Sequence, residues 1–591
     1  MAERVLSLGT IRVDHRSSIR RQGHDRRVFA DMLSIKTRQI TFALAAVAMT
    51  ATTACIGASA IRAAEPALPP QVAMINQAIE QGWNDYEIRP APEVDDPTWC
   101  RRVYLDVIGR VPNTKELREF VADRDKDKRA KLVETLLHDD RYTEEYAQHW
   151  STVWTNLLIG RSGGTDRRDM TNRSGMQKYL RDSFASGKPY DRMVYELVTA
   201  EGATKPGTPG FNGAVNFLIN KVNEENGVLA ASSTSRIFLG QQVQCTQCHN
   251  HPFNQWKQQK FWEFNSFFRQ TRSLRRFVDG TRDIEYAELV NEDFSGEAND
   301  PNDALIFYEL RNGLTKVAYP VFTDGTSIET SGYVSDVNRR NELGRLMLNS
   351  EYLDKMIVNR MWSMFLGHGF TKPIDDLGPH NPASHPQLLD DLGKQFRQSS
   401  YDLKQLITWI TLSRPYNLQA VLGSDNQIDD PSIGEMPKFS RFYLRQMSAE
   451  QLYQSLVTAT DASAAGSYEE QEAQRRRWLQ QFVVAFGTDE GDEATTFNGS
   501  IPQALMLFNG ELTKQATSMA KGSFIDRVAA VGKTPQDSLN ELFMAGMARR
   551  ASRDEVTVAK RLLAARGGNE KEMLQDMWWA VLNSNEFIMQ H

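Results

Sequence analysis

The chain has 591 residues, 40% hydrophobic and 24% charged, with a formal net charge of −6. Its length allows roughly two to four domains at about 150 residues each, and its composition excludes a disordered chain. No run downstream of the N-terminus approaches the roughly 18 apolar residues of a membrane helix.

The first sixty or so residues follow different rules. From Gln39 to Ile61 the sequence carries no charge, and Lys36 and Arg38 stand before it. Phe42 to Met49 reads as the apolar centre of a secretory signal, and Ala58-Ser59-Ala60 as a small-residue cleavage pattern. Met32 opens MLSIKTRQ, a normal signal start, and is read as the true initiator. Cys55 is a poor lipidation site, because Thr52 stands where a lipobox wants Leu. The expectation is an exported protein of the periplasm or cell surface, without a transmembrane domain once residues 1–64 are removed; an uncleaved anchor is the alternative. Those 64 residues hold ten basic and four acidic side chains, so the mature chain carries about −12. Phosphate neutralisation by Lys and Arg supplies most nucleic-acid affinity, so that partner class is excluded.

After a Pro-rich opening, apolar residues recur at three and four from Ile75 to Trp83 and again from Trp99. Trp99 to Trp154 predicts four consecutive helices. Within it, Asn113 followed by Glu116 has the spacing of a capping box. A Gly/Pro-rich loop interrupts at 202–213, and a helix from about Glu225 leads into the cysteines. Residues 271–335 carry short β-rich runs (VDGTRDIEYAELV, ALIFYELRNG, KVAYPVF, SGYVSDV) and read as a small sheet inserted between helical blocks. Helical periodicity returns from Asn338 to the end, broken near 420–440. The fold class is therefore mainly α and multidomain: a signal segment 1–64, a helical domain 70–270, a β-containing insertion 271–335 and a second helical domain 336–591.

An internal echo crosses these blocks. YLDVIGRVPNTKEL near the start and FMAGMARRASRDEV near the end align with Asn113 over Ser552 and Glu116 over Glu555. Similar endings recur at 136–142, 348–352, 412–416 and 581–587, each a polar break followed by an aromatic. This reads as a packing device that turns one helix onto the next. It is too irregular for a solenoid.

Four cysteines occur, Cys55, Cys100, Cys245 and Cys248. The last two lie in QCTQCHNHPFNQW, directly before His249. Three chemistries fit. C-x-x-C-H is the attachment pattern of a c-type haem, with His249 as the proximal iron ligand. Cys245, Cys248, His249 and His251 are also zinc-type or other transition-metal ligands. Four ligands within seven residues close poorly on one ion, so that site needs a remote partner such as His149 or His385. The third option is a disulfide in an oxidising compartment.

Around these residues the sequence resembles a known family. LGQQVQCTQCHNHPFNQWKQQKFWEFNSFF, RRVYLDVIGRVPNTKEL, EEYAQHW and GKPYDRMVYEL resemble the planctomycete cytochrome-like domain (DUF1549). ELGRLMLNSEYLDKMIVNRMWSMFLGHGFTKPIDDLGPHNPASHPQLLDDLGKQF resembles the planctomycete surface domain (DUF1553). The resemblance implies an exported planctomycete-type protein. It brings no defined activity, and its cytochrome name rests on the C-x-x-C-H itself.

Other candidates have plain readings beside the sharp ones. Asp375, Asp376, His380 and His385 fall within eleven residues and have the side chains of a divalent-metal or acid–base site. The plain reading is a loop shaped by Asp376 and Asn381, with Ser384 capping the helix that starts at Pro386. Arg360, in an apolar helix, is expected to pair with Asp375 or Asp376. His149 is expected on a packed helix face, and Cys100 as a small buried hydrophobe. Three functions stay open: an extracytoplasmic redox protein with one covalent haem and redox or cell-envelope partners; a cell-surface scaffold with a zinc site or disulfide at CTQCH; and a metal-dependent hydrolase at Asp375–His385.

Overall fold

A computed structural model of the chain describes residues 68–222, 224–252, 254, 256–460, 473 and 511–591. The export segment, from Phe42 to Ala60, lies outside the described residues. The architecture is mainly α, with a few short antiparallel strands. No described helix is long and apolar enough to cross a membrane.

The first block is α1 (Pro70–Asp85), α2 (Asp96–Ile108), α3 (Thr114–Ala122), α4 (Lys128–His138), α5 (Asp140–Ile159), α6 (Arg173–Ala185), α7 (Tyr190–Thr199) and α8 (Val228–Leu239). The next elements are α9 (Gln258–Asn265), β2 (Thr271–Phe277), β3 (Ile284–Asn291), β4 (Ile306–Glu309) and β5 (Thr315–Ala318). The β-rich stretch thus forms strands, but its three-stranded sheet takes its first member, β1 (Gly202–Ala203), from the Gly/Pro loop. Ser331 to Val337 turns instead of extending: Ser331 Oγ accepts from Tyr333 N at 3.1 Å, and Asp336 and Val337 bond back to the Tyr333 carbonyl.

The second block is α10 (Arg339–Asn349), α11 (Glu351–Leu366), α12 (Pro386–Gln398) and α13 (Leu403–Thr411). After these come β6 (Arg445–Gln446), α14 (Ala449–Ala459), α15 (Glu511–Ala516), α16 (Phe524–Val531), α17 (Pro535–Met547), α18 (Arg553–Ala565), α19 (Glu570–Leu582), α20 (Asn585–Ile588) and β7 (Met589–Gln590). Helices on either side of the strands touch directly: α7 on α10, α8 on α11, α1 on α12 and α4 on α13. One continuous core joins them from Val72 to Tyr443, adds Ala548 from the C-terminal helices, and takes Ala287, Leu289 and Phe322 from the strand-bearing stretch.

Helix α2 shows why this packing is specific. Every residue from Trp99 to Ile108 is buried, so Arg101, Arg102 and Asp106 must find partners inside the protein. Arg102 donates to the carbonyls of Tyr416 and Leu418, and its guanidinium lies 3.6 Å from the Phe442 ring centre. Asp106 accepts from Tyr416 Oη at 2.7 Å and from Arg445 at 2.6 Å. Burial pushes its carboxyl up, against the pull of Arg445. Arg101 reaches the Phe587 carbonyl at 2.6 Å. One helix is thereby tied to segments more than 300 residues away.

The internal echo is a structural repeat. At one constant offset, α2 matches α17: Asp95 and Thr534 are N-caps, Gly109 and Ala548 end the helix in the left-handed conformation, and Asn113 and Ser552 open capping boxes closed by Glu116 and Glu555. Arg110 lies over the Tyr104 ring and Arg549 over Phe543, again at that offset. In each copy α3–α4 or α18–α19 follows, and a further cap, Asp139 or Ser584, starts the next helix. The copies meet in a second core, where Leu105 and Val111 join Leu542, Phe543, Trp578 and Phe587. Of the recurring aromatics, Tyr142, Tyr416 and Phe587 are buried and Tyr352 is half-buried.

Candidate functional site

Helix α8 ends at Gly240, whose φ of 61° is left-handed. A side chain here would meet Met356 Sδ at 2.7 Å and Leu377 Cγ at 2.8 Å, so only glycine lets the chain pass. Val243 then anchors the backbone in a small apolar cluster with Val228 and Phe261. A 3-10 turn, Gln244–Thr246, carries the motif outward, with Thr246 Oγ1 donating back to the Val243 carbonyl at 2.6 Å. Helix α9 holds the turn from beneath. Trp262 Nε1 and Gln258 Nε2 each donate to the Gln247 carbonyl at 3.1 Å, and Gln258 N donates to Asn250 Oδ1.

With its backbone held from inside, the turn presents its reactive side chains to solvent. Cys245 and Cys248 are exposed free thiols; Cys100 is buried, and burial pushes its thiol far up, so it is inert. His249 Nδ1 lies 2.7 Å from the Asn250 carbonyl oxygen. A carbonyl only accepts, so this contact needs a proton on Nδ1, and the backbone carbonyl steadies the ring. His251 is set differently: its Nδ1 accepts from Asn254 N at 3.1 Å.

The aromatics after the motif divide in two. Phe261 and Phe264 are fully buried, Phe264 among Phe267, Phe268 and Phe322. Trp256 and Trp262 stay half-buried by the turn, Trp262 stacked on Tyr308 at 6.1 Å. Phe253 lies outside the described residues.

The loop from Asp375 to His385 sits against this turn. Leu377 N donates to the Gly240 carbonyl at 2.6 Å, and Gln242 Nε2 to Asp375 Oδ1 at 2.8 Å. Arg236 on α8 faces Asp375 Oδ2 at 3.7 Å. The rings of His251 and His380 are 6.5 Å apart, and His380 Nε2 is held by Asp376 Oδ1 at 2.9 Å. Asn381 braces the loop through the carbonyls of Pro373 and Asp376, as expected of a loop-shaping residue. No signal in the sequence joins Gln242 to Asp375, because that contact depends on α8 packing on α11. Among the described residues, no three His, Cys, Asp or Glu side chains gather as a metal-holding group.

Several expected partners differ. The remote histidine that approaches the motif is His380, not His149 or His385. His149 lies over Gly109, where a side chain would come within 2.4 Å of its Nδ1, and it packs edge-on to Trp150. His385 is wedged among Phe370, Phe439 and Gly82, and burial pushes its pKa down to about 4. Ser384 does not cap α12: its hydroxyl is taken by His385 Nδ1 at 3.0 Å, and His385 holds the N-cap position without a side-chain bond to the helix. Arg360 gives Nη1 to the Ile237 carbonyl, while Asp375 and Asp376 are engaged by Arg236, Gln242 and His380.

Residues 74–273 match the family PSCyt2, described as a protein of unknown function (DUF1549). Residues 339–492 match PSD1, likewise a protein of unknown function (DUF1553). The chain thus carries matches to both of these domain families, in this order. The CTQCH turn falls in the first domain and the Asp375–His385 loop in the second. No curated protein and no solved structure matches the chain.

Proposed function

We propose that this DUF1549–DUF1553 protein is exported and acts in extracytoplasmic electron transfer with a redox or cell-envelope partner, and that Cys245, Cys248 and His249 would hold one c-type haem. The observation that carries this reading is the contact of His249 Nδ1 with the Asn250 carbonyl, 2.7 Å long, which leaves Nε2 uninvolved in it, beside two exposed free thiols. Cys245 and Cys248 would hold the group through thioether bonds to its two vinyl groups, an addition that needs no oxidant. The group, when bound, supplies one-electron chemistry whose potential the surroundings tune. The residues' own work is to hold it. His249 donates Nδ1–H to Asn250, which keeps the ring fixed, while Trp262 and Gln258 fix the turn beneath. The approach of His380 to His251 favours a second reading, a small-metal site in a cell-surface scaffold.

The test is expression with export and haem-maturation machinery. The expected product has a Soret band, a haem mass that survives denaturation, and loss of both in Cys245→Ser. Its N-terminus is expected near residues 60–64. A colourless protein with both thiols still titratable overturns the haem reading, and colourless protein that releases a metal ion establishes the alternative. Retention of Phe42 to Met49 in the exported chain overturns cleavage.

A further inference from the structure

We propose that Asp375, in the second domain, is the positioning residue for the CTQCH turn of the first, so that the two domains build one shared centre. For the group that the turn carries, this rests on the haem reading; the positioning itself is tested on the thiols.

The geometry is that of a clamp. Asp375 is buried, and its two oxygens serve two separate elements of the first domain. Oδ1 accepts from Gln242, three residues before Cys245, and Oδ2 faces Arg236 in the last turn of α8. Two residues on, Leu377 N bonds the Gly240 carbonyl where α8 ends. The chain leading to Cys245 is therefore gripped at Arg236, Gly240 and Gln242 from one short stretch of the second domain.

That stretch is itself rigidly held. Asn359, fully buried on α11, donates to the Ile374 carbonyl at 2.9 Å and to Thr371 Oγ1 at 2.8 Å, and accepts from Phe370 N at 2.7 Å. Asn381 bonds the carbonyls of Pro373 and Asp376, and Asp376 holds His380. An unbroken path of buried or half-buried bonds runs from the core helix α11, through Asn359 and the loop, to the residue that aims the cysteines. Such supporting contacts set how precisely a site's ligands are held.

The experiment uses the full chain and site-resolved alkylation. Iodoacetamide rates at Cys245 and Cys248 are read by peptide mass, with Cys100 as an internal monitor that reacts only on unfolding. Asp375→Ala is expected to change the Cys245-to-Cys248 rate ratio by about threefold or more, the scale of one ordinary hydrogen bond, with Cys100 protected. Asp375→Asn, whose amide oxygen still accepts from Gln242, is expected to restore the ratio to near that of the unaltered chain. If Cys100 reacts in the alanine variant, Gln242→Ala removes the same bond from the half-exposed side and is expected to give the same change. An unaltered ratio in a folded Asp375→Ala or Gln242→Ala protein overturns the proposal, and so does failure of Asp375→Asn to restore a ratio that Ala has changed. In haem-loaded protein the alanine variant is expected to shift the reduction potential and ligand-field spectrum, with Asn again restoring them. Absence of covalent haem from the unaltered chain overturns the functional reading alone, because the thiol rates still judge Asp375.

Discussion

The turn at Arg110 and the turn at Arg549 are made of the same parts in different surroundings. In the first, Arg110 grips Glu116 at 2.8 and 2.9 Å and also Glu145. In the second, Arg549 grips Glu555 at 2.8 Å and Glu586 at 2.6 Å. Each guanidinium also donates to the carbonyl of the next residue, Val111 or Arg550, at 3.1 Å. Yet the Arg110 side chain is 7% exposed and that of Arg549 34%. The same local code therefore has unequal energetic weight: once water is excluded, a charge pair is costly to break, whereas at the surface solvent replaces the lost partner.

The largest effect expected from this contrast is at Arg110. Arg110→Met leaves the largely buried Glu116 without its cation, while Glu145, 38% exposed, is rehydrated, and should destabilise the fold by about 3 kcal/mol, the low end for a buried pair. Arg549→Met should cost about 1 kcal/mol or less, since its partners reach water. Chemical denaturation of both variants checks this, and equal losses would mean that the two turns are equally dry.

The two copies also differ in what acid does to them. His591, beside the second copy, is pushed down to about 4 by burial, with Arg101 adding to the effect. Its folded value lies below the unfolded one of about 6.5, so the unfolded chain takes up the proton first. The resulting stability is complete above pH 6.5, falls as pH drops towards 4, and is gone below that. His591→Gln should remove a share on the order of 2–3 kcal/mol from the acid-induced loss between pH 7 and 4. Melting curves across that range decide it, and an unaltered loss would place His591 in water. Partial burial lowers His368 and His385 in the same way, and both add to the loss.

What was legible in the sequence divides along the same line, between local and tertiary causes. Asn113 with Glu116 and Ser552 with Glu555 reveal helix starts because a capping box is closed within four residues. Strands β3, β4 and β5 announce themselves by β-branched and aromatic runs between Gly and Asn, whereas β2, with three Arg in seven residues, does not. Nor does β1, being two residues of a Gly/Pro loop paired with Glu288 and Leu289 far along the chain. Ser384 was misleading because its neighbour His385 competes for the hydroxyl that would have capped α12. At the candidate site, CTQCH and the Asp375–His385 cluster each stand out by composition. Their contact does not, since it is created by α8 lying on α11.

The third expected effect is at Gly109. Its φ of 77° is left-handed, and a side chain there would strike the His149 ring at 2.4 Å. Gly109→Ala should cost about 1–2 kcal/mol for the backbone alone, and more as His149 is displaced. A loss under about 0.5 kcal/mol in a thermal melt would show that His149 yields freely.

The smallest effect is expected at the matching position of the second copy. Ala548 adopts the same left-handed conformation, at φ 56°, with a side chain already present. Glycine would relieve a strain of about 1–2 kcal/mol in the folded state. The same change gives the unfolded chain more freedom, which opposes the gain by about 0.4–1 kcal/mol. Its methyl group is buried in the core and losing it takes back a further share of about 0.8 kcal/mol, so Ala548→Gly should leave stability within about 0.5 kcal/mol of the unaltered chain, unlike Gly109→Ala, although both concern one position of one motif. Urea unfolding of the two variants under the same conditions measures the pair. A larger loss at Ala548→Gly would mean that its methyl group is held by packing worth more than the strain, and that the second copy has built its own contacts around a residue the first copy leaves bare.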